Sequence, residues 1–426
     1  MEFYLEGCRL HVNGTIKSEN ICVSSGVFKP VITMDRDIPV FSGKGKILTE
    51  SFCDLHTHLR EPGFSRKETI KSGTTAAARG GFTTVCAMPN LDPVPDNAES
   101  LAAELALISK NAVIEVFPYA AITRGERGRE ISEIEDLSKV CCGFSDDGKG
   151  VQSGKLMKAA MSRIALCEGL IAAHTEDESK LKPGGSVHDG VVAKRYGLVG
   201  MPSASEYSQI ERDLALVRET GCAYHVCHVS AWESLRLIKA AKSEGLPVTC
   251  EVTPHHLALS ELDITEDSGR FKMNPPLRGI RDRESILSSI ADGTVDVIAT
   301  DHAPHTADEK SKGLRDSIFG TVGSETAFAV CNTYLVKTGV IGYERLFAML
   351  CSNPREVIKK RTTPGWVLLD TEMEWQVKPE DFISMGRATP FEGMNLFGDV
   401  MMTVCDGEVV YMNGGFLSEY EAKAAF

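Results

Sequence analysis

Histidine and aspartate occur in this 426-residue sequence at spacings that suit metal binding. His56 and His58 are two residues apart, and on a strand such side chains point to the same side. Two imidazoles that face one point can hold a metal ion between them. The other potential ligands follow later apolar runs: Asp146 and Asp147, His174, His225 and His228, and Asp301, His302 and His305. The pattern predicts a metal centre.

Four histidines and two aspartates around one site exceed what one metal ion needs. A catalytic zinc ion takes three protein ligands and a water molecule, whereas six ligands with one shared carboxylate suit two neighbouring ions. Two ions can activate a water molecule and polarise a carbonyl, which suits attack on an unactivated amide. Asp301 is the candidate general base, because it could take the proton of the water and pass it to the leaving nitrogen.

Short apolar runs alternate with helical stretches between residues 51 and 359, which predicts parallel strands joined by helices. The eight predicted strands are Ser51–Leu55, Thr83–Met88, Val113–Tyr119, Cys142–Ser145, Leu170–Ala173, Ala223–Val226, Pro247–Val252 and Val295–Ala299. The predicted helices are Ala98–Ser109, Gly154–Cys167, Tyr207–Arg218, Trp232–Lys242, Glu284–Ile290 and Glu325–Val336. We therefore expect a closed (β/α)8 barrel, in which chemistry collects at the C-terminal strand ends.

The two ends of the chain have a different pattern, with short alternating runs separated by turn residues. Residues 1–50 and 360–426 are predicted to form one small β-sandwich domain beside the barrel domain of residues 51–359. The early strands are expected at Phe3–Leu5, Asn20–Val23 and Val31–Thr33, and the late ones at Trp366–Leu369, Val400–Val404 and Glu408–Met412. The predicted fold class is α/β.

The amino-acid composition limits the kinds of partner that this protein is expected to bind. A net charge of −13 disfavours nucleic acid and anionic membranes, which require a basic surface. The sequence contains no apolar run of membrane-spanning length, and its N-terminus lacks a signal-peptide layout, so a cytoplasmic location is expected. The 13 cysteines are odd in number and most lie in apolar runs, which predicts reduced, buried thiols.

Seven motifs follow one another along the barrel region: HTHLREPG, AMPN, FSDDG, HVCHVS, MNPPLR, ATDHAPH and FGTVGSET. In this order the sequence resembles bacterial dihydroorotase, a member of the amidohydrolase superfamily, of the class with an aspartate as bridging metal ligand. The resemblance implies a zinc-dependent, reversible cyclisation of N-carbamoyl-L-aspartate to (S)-dihydroorotate plus water, in de novo pyrimidine synthesis. It also implies two zinc ions per subunit and a small-molecule substrate.

The resemblance assigns roles to individual residues. One zinc ion would be held by His56, His58, Asp147 and Asp301, and the other by Asp147, His174 and His228. Asp147, rather than Asp146, would bridge the ions, with a carboxylated Lys149 as the alternative. The substrate-binding residues would be His58, Arg60, Asn90, Asn274, His305, Phe319 and Gly320. Among these, Arg60 would bind the substrate carboxylate, and Asn274 with the backbone of Phe319 and Gly320 would hold the ring amide groups.

The remaining histidines and Asp54 are not expected to ligate metal; some are expected to support the metal ligands and others to have no function. Supporting roles are expected for Asp54, His225, His255, His256 and His302, whereas His11 and His188 are expected at the surface without a function. The charged stretch Thr306–Ser317 contains glycine, and we expect it to be mobile and to close over the substrate.

Two alternative functions stay open. The first is another cyclic amidase, such as a hydantoinase, dihydropyrimidinase or allantoinase; their substrates lack the ring carboxylate that Arg60 would bind. The second is a non-catalytic, dihydroorotase-like subunit of aspartate carbamoyltransferase, a class in which metal ligands are lost. The resemblance is also compatible with a homodimer and with an association with aspartate carbamoyltransferase.

Overall fold

The computed structural model describes residues 2–35 and 37–424 of the chain. Its N-terminal strands are β1 (Glu2–Val12), β2 (Thr15–Ser24), β3 (Val27–Val31), β4 (Val40–Ser42) and β5 (Lys46–Glu50). The strand β1 pairs antiparallel with β2, which pairs with β3, whereas β4 and β5 run parallel to β1. The strand expected at Val31–Thr33 is displaced, because β3 ends at Val31 and Ile32 is 98% exposed.

The barrel region contributes the next strands. They are β6 (Phe52–Thr57), β7 (Phe82–Ala87), β8 (Glu115–Pro118), β9 (Ala120–Ala121), β10 (Phe144–Ser145), β11 (Leu170–Ala173), β12 (Gly185–His188), β13 (Val199–Met201), β14 (Ala223–Val226), β15 (Val248–Val252) and β16 (Val297–Ile298). The strand β8 lies within the predicted strand Val113–Tyr119, whereas β9 begins just after it. Together they occupy one position in the barrel, since β8 pairs with β7 and β9 with β10. The short parallel pair β12 and β13 was not expected from the sequence.

Parallel pairing runs from β6 to β8 and from β9 through β10, β11, β14 and β15 to β16. The ring closes where Thr57 forms a parallel bridge to His302, just after β16, and the His58 N–H donates to the His302 carbonyl at 2.9 Å. The strands β6 and β7 are buried along their whole length, as expected of strands covered on both faces of a parallel barrel. The chain therefore forms the eight-stranded barrel that the sequence predicts.

Helices connect the barrel strands. The first nine are α1 (Ile70–Arg79), α2 (Ala98–Asn111), α3 (Ile134–Leu137), α4 (Gly154–Leu166), α5 (Val191–Tyr196), α6 (Ala204–Thr220), α7 (Trp232–Ser243), α8 (Pro254–Ala258) and α9 (Ile280–Ala291). Then follow α10 (Ala307–Lys310), α11 (Gly313–Asp316), α12 (Ala327–Cys331), α13 (Tyr343–Phe347) and α14 (Asn353–Ile358). Side-chain caps set several starts: Asn97 accepts from two backbone N–H groups at the beginning of α2.

The helix predicted at Glu325–Val336 is interrupted. After α12 the chain widens into a π-helical turn over Asn332–Val336. Within this turn the Asn332 amide donates to the carbonyls of Thr371 and Phe397, at 3.0 and 2.8 Å. Tertiary hydrogen bonds of this kind explain the departure from a regular helix, which a local pattern does not reveal.

The C-terminal strands are β17 (Gly365–Gln376), β18 (Asn395–Cys405) and β19 (Glu408–Met412), followed by the helix α15 (Gly414–Ala424). They join the N-terminal strands in the order β19-β18-β17-β5-β1-β2-β3, with β4 on β1. The helix α15 places Phe416 against Phe3 and Phe41, with ring centres 5.6 and 4.9 Å apart. The predicted fold class is confirmed: an α/β barrel with a β domain from both chain ends. The strands of that domain form one continuous hydrogen-bonded path.

The prediction of a surface position for His11 is wrong. Its side chain is only 8% exposed, its Nδ1 lies 2.9 Å from the Thr49 hydroxyl, and its ring packs 5.0 Å from that of Phe347. His188 is half-buried, with its Nδ1 3.4 Å from an Arg278 guanidinium nitrogen. Polar and apolar residues alternate in the sequence around both histidines. Tertiary packing nevertheless covers the His11 side chain and half-buries that of His188.

All 13 cysteines lie in the described part of the chain, and each has a free thiol. Eleven of them are buried, in agreement with their apolar sequence surroundings. Over residues 2–35 and 37–424, no helix is both long and apolar enough to cross a membrane.

Candidate metal centre and substrate pocket

His56 and His58 lie at the C-terminal end of β6, and both imidazoles turn their Nε2 atoms into the barrel mouth. The Nε2 atoms face Asp147, with His56 at 3.3 Å from Oδ1 and His58 at 3.5 Å from Oδ2. They also face Asp301, whose Oδ1 lies 3.5 Å from His56 and 3.1 Å from His58. The four residues are at most 6% exposed. Strand alternation thus brings two imidazoles and two carboxylates to one point.

A second group shares Asp147 with the first. His174 follows β11 and His228 follows β14, two neighbouring strands of the barrel. The His174 Nδ1 and the His228 Nε2 are 3.0 Å apart, and they lie 3.7 and 3.9 Å from the Asp147 Oδ1. Both imidazoles are at least 96% buried. The structure therefore brings together all six residues that the sequence selects as metal ligands.

The geometry fits a pair of divalent cations. A tetrahedral ion with bonds of 2.0–2.1 Å has donor atoms about 3.3 Å apart, close to the separations in both groups. The His56 Nε2 and the Asp147 Oδ1 are buried, and neither has a hydrogen-bond partner among the described residues. Polar atoms that are buried without a partner are costly, and ligation of a cation would satisfy them. Nitrogen and carboxylate donors suit zinc and other first-row divalent metals.

Hydrogen bonds behind the ligands hold the imidazoles in place. The His56 Nδ1–H donates to the Glu251 Oε1 at 2.8 Å, and the other oxygen of Glu251 lies 3.0 Å from the His225 Nε2. The His228 backbone N–H also donates to Glu251, at 3.3 Å. A carboxylate on Nδ1 fixes the tautomer that leaves Nε2 free to ligate. Glu251 therefore orients ligands of both groups, and the sequence analysis missed it.

Asp54 supports the same site from the barrel wall. One oxygen accepts from the N–H groups of His56 and Thr300, at 3.1 and 3.0 Å, and the other accepts from the Thr300 hydroxyl at 2.5 Å. Because Thr300 precedes Asp301, this carboxylate ties the first strand end to the last. The supporting role expected for Asp54 has this structural basis.

Asp146 and Asp147 point in different directions. The Asp146 carboxylate accepts from the backbone N–H of Thr123 at 2.9 Å and also from its hydroxyl. It therefore serves the barrel wall, whereas Asp147 faces the histidines. Lys149 is exposed and lines a separate surface cavity with Glu126. Neither Asp146 nor Lys149 joins the ligand groups.

Left-handed backbone conformations occur at three residues of the site. The φ angles are 62° at Arg60, 34° at His228 and 48° at Asp301. Residues other than glycine rarely adopt such values, and each costs on the order of 1–3 kcal/mol unless the surroundings enforce it. Strain of this kind collects where side chains must point in a required direction, here into the barrel mouth.

The imidazoles of His58 and His174 are neutral at physiological pH, since burial lowers the pKa of each. Neutral imidazole is the form that ligates metals. Burial also acts on Asp147 and Asp301, but the neighbouring histidines outweigh it and hold the pKa of both carboxyls below the usual range. Both carboxylates are therefore ionised, as metal ligation requires.

A cavity of about 300 Å³ opens above the ligand groups. It is lined by every residue predicted to bind substrate: His58, Arg60, Asn90, Asn274, His305, Phe319 and Gly320. Phe64 and Lys67 also line it, and sequence reasoning missed them. Their signal was their place in the loop directly after HTHLREPG, where Lys67 adds a second cation close to Arg60.

Arg60 is a buried cation without an anionic partner. Its side chain is 8% exposed, its Nε donates to the Pro304 carbonyl at 3.2 Å, and its Nη2 lies 3.3 Å from the His305 Nε2. Within the described residues no carboxylate oxygen lies within 4.0 Å of this guanidinium. Burial lowers the pKa of Arg60 to about 10, so it stays charged at neutral pH. An unpaired guanidinium in a pocket suits a carboxylate ligand.

Asn90 and Asn274 line the cavity and also contact metal-ligand candidates. The His58 Nδ1–H donates to the Asn90 Oδ1 at 2.9 Å, and the Asn90 amide donates to the Asp147 Oδ2 at 3.2 Å. The Asn274 amide lies 3.4 Å from the His174 Nε2. The two amides therefore connect the ligand groups to the pocket wall, a contact that the sequence did not reveal.

Comparisons with known proteins place this site in a family. A family model described as "Dihydro-orotase-like" matches residues 45–234. The dihydroorotase of Fusobacterium nucleatum subsp. nucleatum is 42% identical over 421 residues, covering 96% of this chain and 98% of that protein. The dihydroorotase of Staphylococcus aureus (strain MRSA252) is 43% identical over 410 residues, covering 94% and 96%. That of Macrococcus caseolyticus is 41% identical over 428 residues, covering 97% and 99%.

Solved structures with the same fold include an L-hydantoinase (dihydropyrimidinase) from Arthrobacter aurescens, with a TM-score of 0.85, 22% identity and 97% of both chains covered. A dihydropyrimidinase from Brevibacillus agri gives a TM-score of 0.81 and 19% identity, covering 97% of this chain and 95% of that one. These structures share the barrel fold of this chain, whose mouth carries histidine–aspartate groups that could hold metal ions. With relatives of 41–43% identity over nearly its full length, the chain belongs to the dihydroorotase family, whose members are hydrolases that act on cyclic amides.

Proposed function

We propose that this protein is a dihydroorotase, which interconverts N-carbamoyl-L-aspartate and (S)-dihydroorotate plus water in de novo pyrimidine (UMP) synthesis. Family membership over nearly the full chain length supports this reaction. The observation that carries it is the unpaired Arg60 guanidinium in the same cavity as the metal-ligand candidates. Dihydroorotate presents a ring carboxylate beside its scissile amide, so one pocket must hold an anion next to a hydrolytic centre.

The proposed cofactor is a pair of zinc ions. His56, His58, Asp147 and Asp301 would hold one ion, and Asp147, His174 and His228 the other, with Asp147 as the bridge. Such ions, when bound, make water a good nucleophile at neutral pH and polarise the carbonyl under attack. The cluster also suits other divalent metals, and metal analysis of the purified protein determines identity and number.

Substrate binding and proton transfer are assigned to individual side chains. Arg60 binds the substrate carboxylate through its planar fork, with hydrogen bonds from Asn90 and His305. In the hydrolytic direction, the water oxygen bonds to the amide carbon while the Asp301 carboxylate takes the proton of the water. The carbon–nitrogen bond then breaks, and Asp301 returns that proton to the ring nitrogen. Ring closure is the reverse sequence of the same steps.

The neighbouring backbone sets the position of the ring. The N–H of Gly320 is already donated to the Lys272 carbonyl at 3.0 Å. The backbone N–H and carbonyl of Phe319 make no hydrogen bond within the described part of the chain. Contacts to the ring amide groups therefore fall mainly to the backbone of Phe319 and to the side chain of Asn274.

An activity panel tests this function against other cyclic amidases. We expect turnover of dihydroorotate and carbamoyl-aspartate, and little or none of hydantoin, dihydrouracil or allantoin. The substitution Arg60→Met should raise KM for dihydroorotate by about 10-fold or more, because a charge-assisted carboxylate contact contributes roughly 1.5–3 kcal/mol. Arg66→Met is the matched control, since Arg66 is 65% exposed. Hydantoin turnover without dihydroorotate turnover would reject the proposal.

A non-catalytic subunit is the other alternative, and retention of all six ligand residues speaks against it. Metal-free protein that stays inactive after addition of zinc would support it. The cytoplasmic location remains a prediction from the sequence, and a homodimer and an association with aspartate carbamoyltransferase remain predictions of the family resemblance. Size-exclusion chromatography, with and without aspartate carbamoyltransferase, measures the last two.

A further inference from the structure

Lys310 is a buried lysine next to the substrate pocket, and none of the roles above includes it. Its side chain, at the end of α10, is 8% exposed. Its Nζ donates to the carbonyls of Lys272, Ile318 and Gly320, at 2.9, 2.8 and 2.6 Å. An ammonium group has three N–H donors, so these three carbonyls use all of its hydrogen-bonding capacity.

The charge of Lys310 has no carboxylate partner. Within residues 2–35 and 37–424, no carboxylate oxygen lies within 4.0 Å of its Nζ. Removing an ammonium group from water is costly, and charge-assisted bonds to carbonyls offset part of that cost. A methionine of similar length would fill the space without any such cost. The presence of lysine therefore indicates a task that only three convergent donors perform.

The carbonyls that Lys310 binds surround the pocket wall. Ile318 and Gly320 flank Phe319, and all three residues line the cavity. Gly320 adopts φ 131°, and an added Cβ would lie 2.7 Å from the Ala303 carbonyl oxygen, so the backbone here is tightly fitted. With both flanking carbonyls bound to Lys310, the backbone N–H and carbonyl of Phe319 itself make no hydrogen bond among the described residues.

The third carbonyl, that of Lys272, connects the Phe319 backbone to the segment that carries Asn274. Lys272 is two residues before Asn274, which lines the cavity and whose amide donates to a Glu176 carboxylate oxygen at 3.0 Å. We propose that Lys310 is a positioning residue for the substrate: its ammonium group fixes the Phe319 backbone relative to Asn274, so that both hold the ring amide groups. This inference rests on the proposed dihydroorotase function.

The test compares Lys310→Met with the matched control Lys312→Met, because Lys312 is exposed two residues away. We expect Lys310→Met to lower kcat/KM for dihydroorotate by on the order of 100-fold, the effect of a small misplacement of substrate. Metal content should stay at the wild-type level, since none of the ligand candidates contacts Lys310. Lys312→Met should retain wild-type kcat/KM. Equal kcat/KM in both variants would overturn the inference.

Inhibition by two probes separates a positioning role from a general loss of stability. Orotate carries the ring amide groups and the carboxylate, whereas succinate carries carboxylates alone. Lys310→Met should raise the inhibition constant of orotate about 10-fold or more and leave that of succinate unchanged. Parallel weakening of both probes, or of neither, would contradict the proposal.

A conservative variant covers the case in which Lys310→Met does not fold. Lys310→Arg keeps the charge, but its planar fork does not converge on three carbonyls, so we expect a folded enzyme with an intermediate loss of kcat/KM. If neither variant folds, Lys310 serves the fold alone and the inference is overturned. A wild-type enzyme without dihydroorotase activity would instead reject the proposed function, so the two failures are distinguishable.

Discussion

Carboxylates that face the histidine cluster and carboxylates that face the barrel wall are equally buried, yet their pKa values shift in opposite directions. Asp146 and Asp147 show this at adjacent positions, since both are at most 5% exposed. Burial raises the pKa of Asp146 to about 6, and its bonds to Thr123 only moderate that rise. Burial acts on Asp147 too, but the surrounding histidines, His56 above all, outweigh burial and hold the pKa of this carboxyl well below the usual range.

The same contrast extends along the barrel. Glu251 is completely buried, yet hydrogen bonds from His225 and His56 outweigh burial and lower its pKa to about 2. Glu104 is 2% exposed in α2, where burial alone raises its pKa well above the ordinary value. Burial is therefore common to both positions, and the histidines of the barrel mouth offset the negative charge of Glu251, whereas nothing in the described part of the chain offsets burial at Glu104. A pair of divalent cations would extend that compensation.

The largest expected effect comes from exchanging the two neighbouring aspartates. Asp147→Asn should remove the shared ligand, lower metal content and reduce kcat by more than about 100-fold, beyond the upper range for residues that only support a ligand. Asp146→Asn is the matched control and should retain metal and activity within a few-fold, because the Asp146 carboxylate bonds to Thr123 on the barrel wall. Metal analysis and steady-state kinetics measure both.

The reverse result would break the comparison. Loss of metal in Asp146→Asn with retention in Asp147→Asn would mean that the wall-facing carboxylate is the ligand. Equal losses would mean that both carboxylates act on the metal centre and that their opposite pKa shifts have no functional meaning.

A smaller effect is expected at Glu251, which contacts ligands without being one. Glu251→Gln keeps the size of the side chain but weakens the bonds that fix His56 and His225. We expect metal affinity to fall about 10- to 100-fold, as measured by competition with a chelator. Glu104→Gln is the control, since Glu104 lies in α2 away from the mouth. Unchanged affinity in Glu251→Gln would show that the carboxylate is only a structural partner of His225.

The metal-ligand candidates could be predicted because, in this fold, a residue that follows a barrel strand must lie at one known end of the barrel. Once eight parallel strands are recognised, polar residues after the strands must meet at one end of the barrel. His56 and Asp301 are 245 positions apart, yet strand ends alone bring them together. The choice of Asp147 over Asp146 came from the family pattern, because spacing by itself left both aspartates as candidates.

Residues that act through backbone groups could not be predicted in this way. Lys310 lies in a charged stretch that resembles a mobile loop, and its three carbonyl partners are set by tertiary structure alone. Glu251 did leave a signal, a carboxylate inside the apolar run of β15, because such residues are rarely buried unless they are paired. His11 gave no such signal, since its burial depends on packing between β1 and Phe347.

The smallest expected effect is a pH-dependent change of stability in the β domain. Asp399 lies on β18 and accepts a hydrogen bond from the Asn413 amide at 2.8 Å. Burial raises its pKa to about 6 from an ordinary value of 3.8. A folded-state pKa above the unfolded one stabilises the protein fully below pH 3.8, and that contribution is lost as pH rises through about 6. Above pH 6 the fold must therefore hold a poorly compensated carboxylate.

Asp399→Asn removes this titration and keeps an oxygen for the Asn413 amide. The melting temperature of the variant should exceed that of wild type by about 2–4 °C at pH 8, and the difference should shrink toward pH 4. Differential scanning calorimetry across this range measures it, and kcat should stay unchanged because β18 is remote from the barrel mouth. A melting-temperature difference that is constant with pH would mean that Asp399 is compensated as well as Asp147. Buried carboxylates in the β domain and in the barrel mouth would then both be compensated by neighbouring groups.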